Sequence, residues 1–375
     1  MSSAILSRQR DRSVAGSVDR ASGPSEFAER LLTVLAEGKV TSTYKYAVLL
    51  GLVDLCVEYS THTGDAPTSV TTCQLAERIL ELYWPQVRTF DERTLQQNSG
   101  NQAAILTRIL RFQSQVGAPG MSVARARHLA PDEFVRLVRD VEWTLVKMPL
   151  PKLQRVGAEQ VRFLYQINWD DDVQRKTLSS PDFDNAIRFI GSAGEDLVRL
   201  APFVRPLVQR EWTGRVAQLN ELAEARLEQF LFGAPREAIA HLAGPLLQLQ
   251  GGNCFYCGRR VRQRRQVDHF VPWSRHPDDG LDNLVVTDAA CNGAKRDHLA
   301  AAEHVERWAE RNQQRKVELA QIADFKQWSH RPGRTLSVAR SIYLRLPSDA
   351  RLWQLQRNFV AVDAPRLWSV LGTEP

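Results

Sequence analysis

Residues 254–298, CFYCGRRVRQRRQVDHFVPWSRHPDDGLDNLVVTDAACNGAKRDH, concentrate the side chains of this chain that can do chemistry. They hold a Cys254-x-x-Cys257 pair, an adjacent Asp268 and His269, Asn283, and a Cys291-Asn292-x-x-Lys295 run. Water attack on a phosphodiester needs a base that works near neutral pH, which imidazole supplies. It also needs a hard divalent ion to stabilise charge on the phosphate and the leaving oxygen. Asp268 offers such an ion an anionic oxygen, Asn292 a neutral one, and Lys295 and Arg296 offer positive charge to phosphate. Taken singly, Asp268 reads as a turn anchor and His269 as a core histidine; the ordered set reads as a metal-dependent phosphodiesterase.

Cys254 and Cys257 have the spacing of a zinc knuckle, and Gly258 permits the tight turn behind them. The usual partner is a second Cys-x-x-Cys, but the position three before Cys291 is Asp288. A carboxylate can ligate zinc, which makes Cys254, Cys257, Asp288 and Cys291 one candidate set, with His298 the alternative fourth ligand and simple packing of metal-free cysteines the competing reading. Arg259, Arg260, Arg262, Arg264 and Arg265 follow within seven residues. Beside a hydrolytic pair such a run is expected to touch phosphate; otherwise it is a solvated hairpin tip.

Three elements must position these groups. Gln266 to Val271 reads as a strand, Asp282 to Val286 as the second strand of a hairpin, and Ala289 to Leu299 as a short helix carrying Asn292 and Lys295 on one face. A regular strand points Asp268 and His269 to opposite sides, so one shared site predicts a bend or bulge between them, with Pro272 ending the strand.

This segment resembles the HNH nuclease domain, the ββα-metal fold. The Asp-His pair, an Asn fourteen residues after the His, an Asn nine later and a Lys three later are similar to the HNH domain of RNA-guided CRISPR effector nucleases. The resemblance implies His269 as general base, Asp268 and Asn292 as ligands to one Mg²⁺ or Mn²⁺, and Asn283 holding the loop and orienting the histidine. Asn292 stands where the third histidine of the pattern can stand, and Asp288 where many zinc-bearing members have Cys.

The rest of the chain reads as helix. Phe27, Leu31, Leu32 and Leu35 lie at helical spacing, as do Tyr44, Val48, Leu52 and Leu55. Thr71 and Gln74 form a capping-box signature before Leu75, Ile79 and Leu82, and Pro85 closes that helix. Ile105, Ile109 and Phe112 mark a fourth. Gly and Pro in GAPGMSVARARHLAPDEF predict a boundary near residue 120, and a further helix starts at Pro131. Residues 163–190 have no firm period, and the acidic run Asp170 to Asp172 reads as a solvated loop. Helix resumes near Leu197 and ends at Gly251-Gly252. Beyond the motif, helix continues to about residue 330 and a Leu- and Trp-rich segment follows, with Trp353 and Trp368 expected in its core. Cys56 and Cys73 read as small buried hydrophobes.

With 375 residues, 43% hydrophobic and 25% charged, the chain can bury a full core, and a pI near 9.2 suits a nucleic-acid partner. Of its 49 basic residues only eight are Lys. The rest are Arg, whose planar fork grips phosphate in pairs of hydrogen bonds. Five cysteines, three of them in the motif, argue against a disulfide framework. With no signal-like or long apolar segment, this predicts a cytoplasmic protein without membrane association.

The expected architecture is α+β and mostly helical: a disordered tail (1–24), a helical region (25–120), a mostly helical middle (121–250), an inserted ββα-metal HNH module (251–300), and a C-terminal helical segment packing on it (301–375). The expected activity is DNA endonuclease, with restriction or anti-phage defence as the biology and a defence-system protein as a partner. The alternatives are a non-catalytic zinc-knuckle DNA-binding module and a homing or mobile-element nuclease.

Overall fold

The computed structural model describes residues 23–36, 42–100, 103–156, 159–233 and 239–372; nearly all of the expected tail lies outside them. The N-terminal helices are α1 (Pro24–Ala36), α2 (Tyr44–Glu58), α3 (Thr72–Tyr83) and α4 (Ala104–Gln115). Helix α3 starts where the sequence predicts: Thr71 accepts from the Gln74 backbone, and the Gln74 side chain accepts from the Thr71 backbone. Pro85 lies in the one-turn 3-10 segment that ends it. Helix α1 buries Phe27, Leu31, Val34 and Leu35, whereas Leu32, expected on that face, is exposed.

Helix α2 is buried on all sides, from Tyr46 to Glu58. It lies at the centre of the molecule, so it lacks the single apolar stripe of a surface helix and carries Asp54 and Glu58 into the interior. The expected boundary near residue 120 is a turn inside one core. Helices α5 (Val123–Leu129) and α6 (Pro131–Lys147) fold straight back, and Phe134, Leu137, Val141 and Leu145 join the cluster that contains Leu50, Leu75 and Ile109.

Short strands occupy the region without helical period. Strands β1 (Ser69–Thr71), β6 (Tyr165–Gln166) and β7 (Ala186–Phe189) form an antiparallel sheet in the order β1-β7-β6. Two minimal ribbons, β2 (Thr89–Phe90) with β3 (Arg93–Thr94) and β4 (Arg155–Val156) with β5 (Glu159–Gln160), complete this half. Asp170 to Asp172 form a loop, as expected, with Lys152 paired to Asp171 at 2.7 Å. Three helices follow: α7 (Arg175–Leu178), the long α8 (Ala193–Asn220) and α9 (Leu227–Phe232).

The motif region comprises α10 (Ala243–Leu249), the antiparallel pair β8 (Gln266–His269) and β9 (Leu284–Thr287), and α11 (Ala289–Lys295). Beyond it lie α12 (Ala302–Gln314), α13 (Lys316–Lys326), α14 (Pro332–Tyr343), a hairpin of β10 (Arg351–Leu355) and β11 (Asn358–Ala361), and α15 (Ala364–Leu371). The C-terminal segment is therefore mixed rather than helical throughout. Trp353 is fully buried there, but Trp368 is 46% exposed. The chain is mostly helical with small sheets, an α+β fold. Among the described residues no helix is long and apolar enough to cross a membrane.

The β8–β9 hairpin has two buried faces. Val267, Leu284 and Val286 pack with Leu242 just before α10, Leu246 of α10 and Leu319 of α13. Val285, on the other face, joins the main core with Tyr256 and Phe270.

Candidate active site and metal centre

The knuckle forms as its spacing predicts. Gly258 takes φ +70°, which glycine adopts without steric cost, and its N–H donates to the Cys254 carbonyl at 3.0 Å. Asp288 is the N-cap of α11, its Oδ1 accepting from the Cys291 N–H at 2.8 Å while Cys257 Sγ donates to Oδ2 at 3.2 Å. The ligand atoms of Cys254, Cys257, Asp288 and Cys291 all lie within 4.8 Å of one another. A tetrahedral zinc with bonds of about 2.3 Å to sulfur puts thiolates about 3.8 Å apart, so this set fits the ion with a small contraction. His298 is exposed and packs edge-on against Phe359 at 4.8 Å, outside the cluster. Asp288, not His298, is the fourth member.

The electrostatics of this corner are unbalanced. Burial opposes the Asp288 charge, yet the Cys291 N–H and the surrounding thiols hold its carboxyl at about 2. Burial, reinforced by Asp288, pushes the Cys291 thiol upward. Such a set could hold a divalent cation, and thiols that bind it give up their protons.

The predicted bend between Asp268 and His269 is absent. Pairing is regular from Gln266 opposite Thr287 to His269 opposite Leu284, so the two side chains leave opposite faces of the hairpin. On the Asp268 face, Tyr256 of the knuckle donates its hydroxyl to Asp268 Oδ2 at 2.6 Å. Burial, and then the Asp268 charge, keep that phenol protonated. Lys295 Nζ lies 3.0 Å from the same oxygen and donates to the His269 carbonyl at 2.9 Å.

Lys295 is fully buried, so it is not the phosphate contact expected of it; the nearest carboxylate has drawn its ammonium inward. One turn earlier, Asn292 donates to Gln266 Oε1 at 2.7 Å. Asp268 Oδ1 and Asn292 Oδ1 have no partner among the described residues. Both are hard oxygens on the helix-facing side of the hairpin, of the kind that can ligate a hard divalent ion.

On the other face His269 Nε2 lies 2.8 Å from Asp279 Oδ1, the Trp273 ring packs at 5.3 Å, and Nδ1 has no partner among the described residues. Burial raises the Asp279 carboxyl, which His269 opposes. Asn283 is fully buried: its Oδ1 accepts from the Val271 N–H at 2.8 Å, and its Nδ2 donates to the carbonyls of Val271 and Asp278. It ties both ends of the loop between the strands. Tyr256, Gln266 and Asp279 were not singled out from the sequence. Tyr256 is an interior letter of the knuckle, Gln266 lies two before Asp268 on its face, and Asp279 had only its place in the loop to mark it.

Arg259, Arg260, Arg262, Arg264, Arg265 and Arg296 are all exposed. Among the described residues none of them has an ion-pair partner. Arg264 and Arg296 also have positive φ, 52° and 48°, where the chain turns sharply.

No curated protein and no solved structure matches the chain. Residues 254–301 match the family model described as HNH endonuclease, so this hairpin and helix are an HNH-family region. The model described as Domain of unknown function (DUF8808) matches residues 24–231, more than half of the chain, and the chain belongs to that family.

Proposed function

We propose that this protein is a metal-dependent HNH endonuclease that hydrolyses DNA phosphodiester bonds. His269 acts as general base through Nδ1, while Asp268 and Asn292 hold one Mg²⁺ or Mn²⁺, which supplies charge stabilisation at the scissile phosphate when bound. The single observation that carries the reading is that adjacent residues of one strand offer, on its two faces, a hard oxygen left open beside Asn292 (Asp268 Oδ1) and a histidine whose Nε2 is occupied and whose Nδ1 is free. Lys295 and Tyr256 occupy the other Asp268 oxygen and fix the carboxylate's orientation. Cys254, Cys257, Asp288 and Cys291 hold a structural Zn²⁺, and the unpaired arginines with Arg296 grip backbone phosphate.

The free thiols of all five cysteines are in keeping with a cytoplasmic setting. Restriction or anti-phage defence is the biology we favour, with the region of residues 24–231 recognising a DNA modification or a defence-system partner. The test is cleavage of supercoiled plasmid with Mg²⁺ or Mn²⁺ by the wild type and by His269→Ala. The variant is expected to lose at least about 100-fold in rate; equal cleavage by the two proteins refutes His269 as the base, and no cleavage by either leaves a DNA-docking module.

A further inference from the structure

The group that holds His269 is itself held with unusual thoroughness. Asp279 sits in the loop of residues 276–280 between the hairpin strands, and its carbonyl accepts from the Trp328 indole at 2.6 Å. Asp278, its neighbour, accepts from the Gly280 N–H at 2.9 Å and from the Thr335 hydroxyl at 2.7 Å. A Cβ at Gly280 would lie 3.1 Å from Asp278 Oδ1, so the turn is closed tightly around that carboxylate. His276, fully buried, faces Glu58 of α2 at 3.1 Å and Arg205 of α8 at 3.4 Å. Glu58, Arg205, Trp328 and Thr335 all lie outside the segment of residues 254–301. A loop that served only to join two strands would not need anchors from four separate helices and turns.

Those anchors determine where Asp279 Oδ1 sits, and with it the His269 ring. A base must present one nitrogen to water in a single tautomer, and an acceptor on the other nitrogen accomplishes this by keeping the proton there. We infer that Asp279 is the positioning residue of the proposed hydrolytic site: it keeps the His269 proton on Nε2 and turns Nδ1 toward the water. The inference rests on the reading of His269 as base.

The experiment uses the full chain, with plasmid cleavage kinetics for wild type, Asp279→Asn, Asp279→Glu and His269→Ala. Asp279→Asn is expected to lower kcat about 10- to 100-fold, the range for removing a partner of this kind, with KM for DNA and thermal midpoint nearly unchanged, and Asp279→Glu to recover part of the rate. Asp279→Asn with wild-type kcat, beside an inactive His269→Ala, overturns this inference alone. Wild-type activity in His269→Ala overturns the base reading and this inference with it. Nitrogen-15 NMR of the wild-type imidazole, assigned by its absence from His269→Ala, reads the bond even where Asp279→Asn does not fold. A ring protonated on Nε2 is expected, and one protonated on Nδ1 overturns the inference.

Discussion

Charge is closed on itself in the interior between the helical half and α14, and left open in the HNH-family region. In the first, Asp54, Glu58, Glu81 and Asp278 face Arg78, Arg205, Arg331 and Arg334. Arg78 reaches Asp54 at 2.6 Å and Glu81 at 2.7 Å, Arg334 reaches Glu58 at 2.7 Å and Glu81 at 2.9 Å, and Arg205 pairs with Asp54. In the second, three thiols and a carboxylate face one another, and the arginines of the run Arg259 to Arg265 have no ion-pair partner among the described residues. A buried set that neutralises itself closes its charges within the fold, while the thiol–carboxylate cluster could hold a divalent ion.

The largest effect that can break this comparison lies at the open set. Structural zinc is worth roughly 10 kcal/mol or more in small sites. Cys257→Ser, or chelation of the wild type, is therefore expected to abolish one bound zinc per chain and to melt the region of residues 254–301 before the rest. Elemental analysis with thermal unfolding checks this, and a zinc-free wild type with a single normal transition refutes it. Because Tyr256 lies inside the knuckle and orients Asp268, the same substitution should also depress cleavage.

The closed set should respond next. Asp54→Ala leaves Arg78 and Arg205 buried without their shared carboxylate, an expected loss of about 3–5 kcal/mol in denaturant unfolding. A loss below about 1 kcal/mol would mean that the network is not closed as described. Acid sharpens the same point. Burial opposes the charge on Asp54 and Glu81, but Arg205 and Arg78 for the first, and Arg334 and Arg331 for the second, hold both carboxyls below their ordinary values. Depressed folded values mean that stability is fully present above the unfolded carboxylate range, about pH 4, and is lost as pH falls below it. Denaturant midpoints measured from about pH 7 to about pH 3 should be flat at first and then fall.

The smallest effect on the fold is expected at the arginine run. Replacing Arg262, Arg264 and Arg265 together by Ser should change stability by less than about 0.5 kcal/mol. It should also reduce the slope of log affinity against log salt for duplex DNA by up to about 2.7, roughly 0.9 for each phosphate that is no longer neutralised. Anisotropy titrations at several salt concentrations measure this, and an unchanged slope would remove these arginines from the DNA surface.

Much of the site was legible because its signals are local. Cys-x-x-Cys, Asp288 three before Cys291, and the strand, strand and helix pattern all act within a few residues, and the chain forms them in that order, the first strand ending at His269 rather than Val271, the second starting at Leu284 rather than Asp282 and the helix ending at Lys295 rather than Leu299. The capping box of α3 is legible for the same reason. The bend between Asp268 and His269 is expected from the assumption that both side chains leave the strand on one side, and regular pairing sends them to opposite faces instead. The boundary near residue 120 was expected because Gly and Pro mark turns; a turn does not say whether the core continues across it, and here it does. Trp368 shows a related limit, since its helix has an apolar face but the tryptophan lies at its margin.

By itself the sequence determined the residue types of both candidate metal sites, their order, and the elements that carry them, because spacing along a strand or helix decides which side chains can meet. Only the tertiary structure decided that Lys295 turns inward to Asp268, that Asp279 takes His269, and that the loop between them is held by Glu58, Arg205, Trp328 and Thr335. Those choices depend on which charges are buried together when segments up to 218 residues apart pack against one another, and no local pattern carries that information.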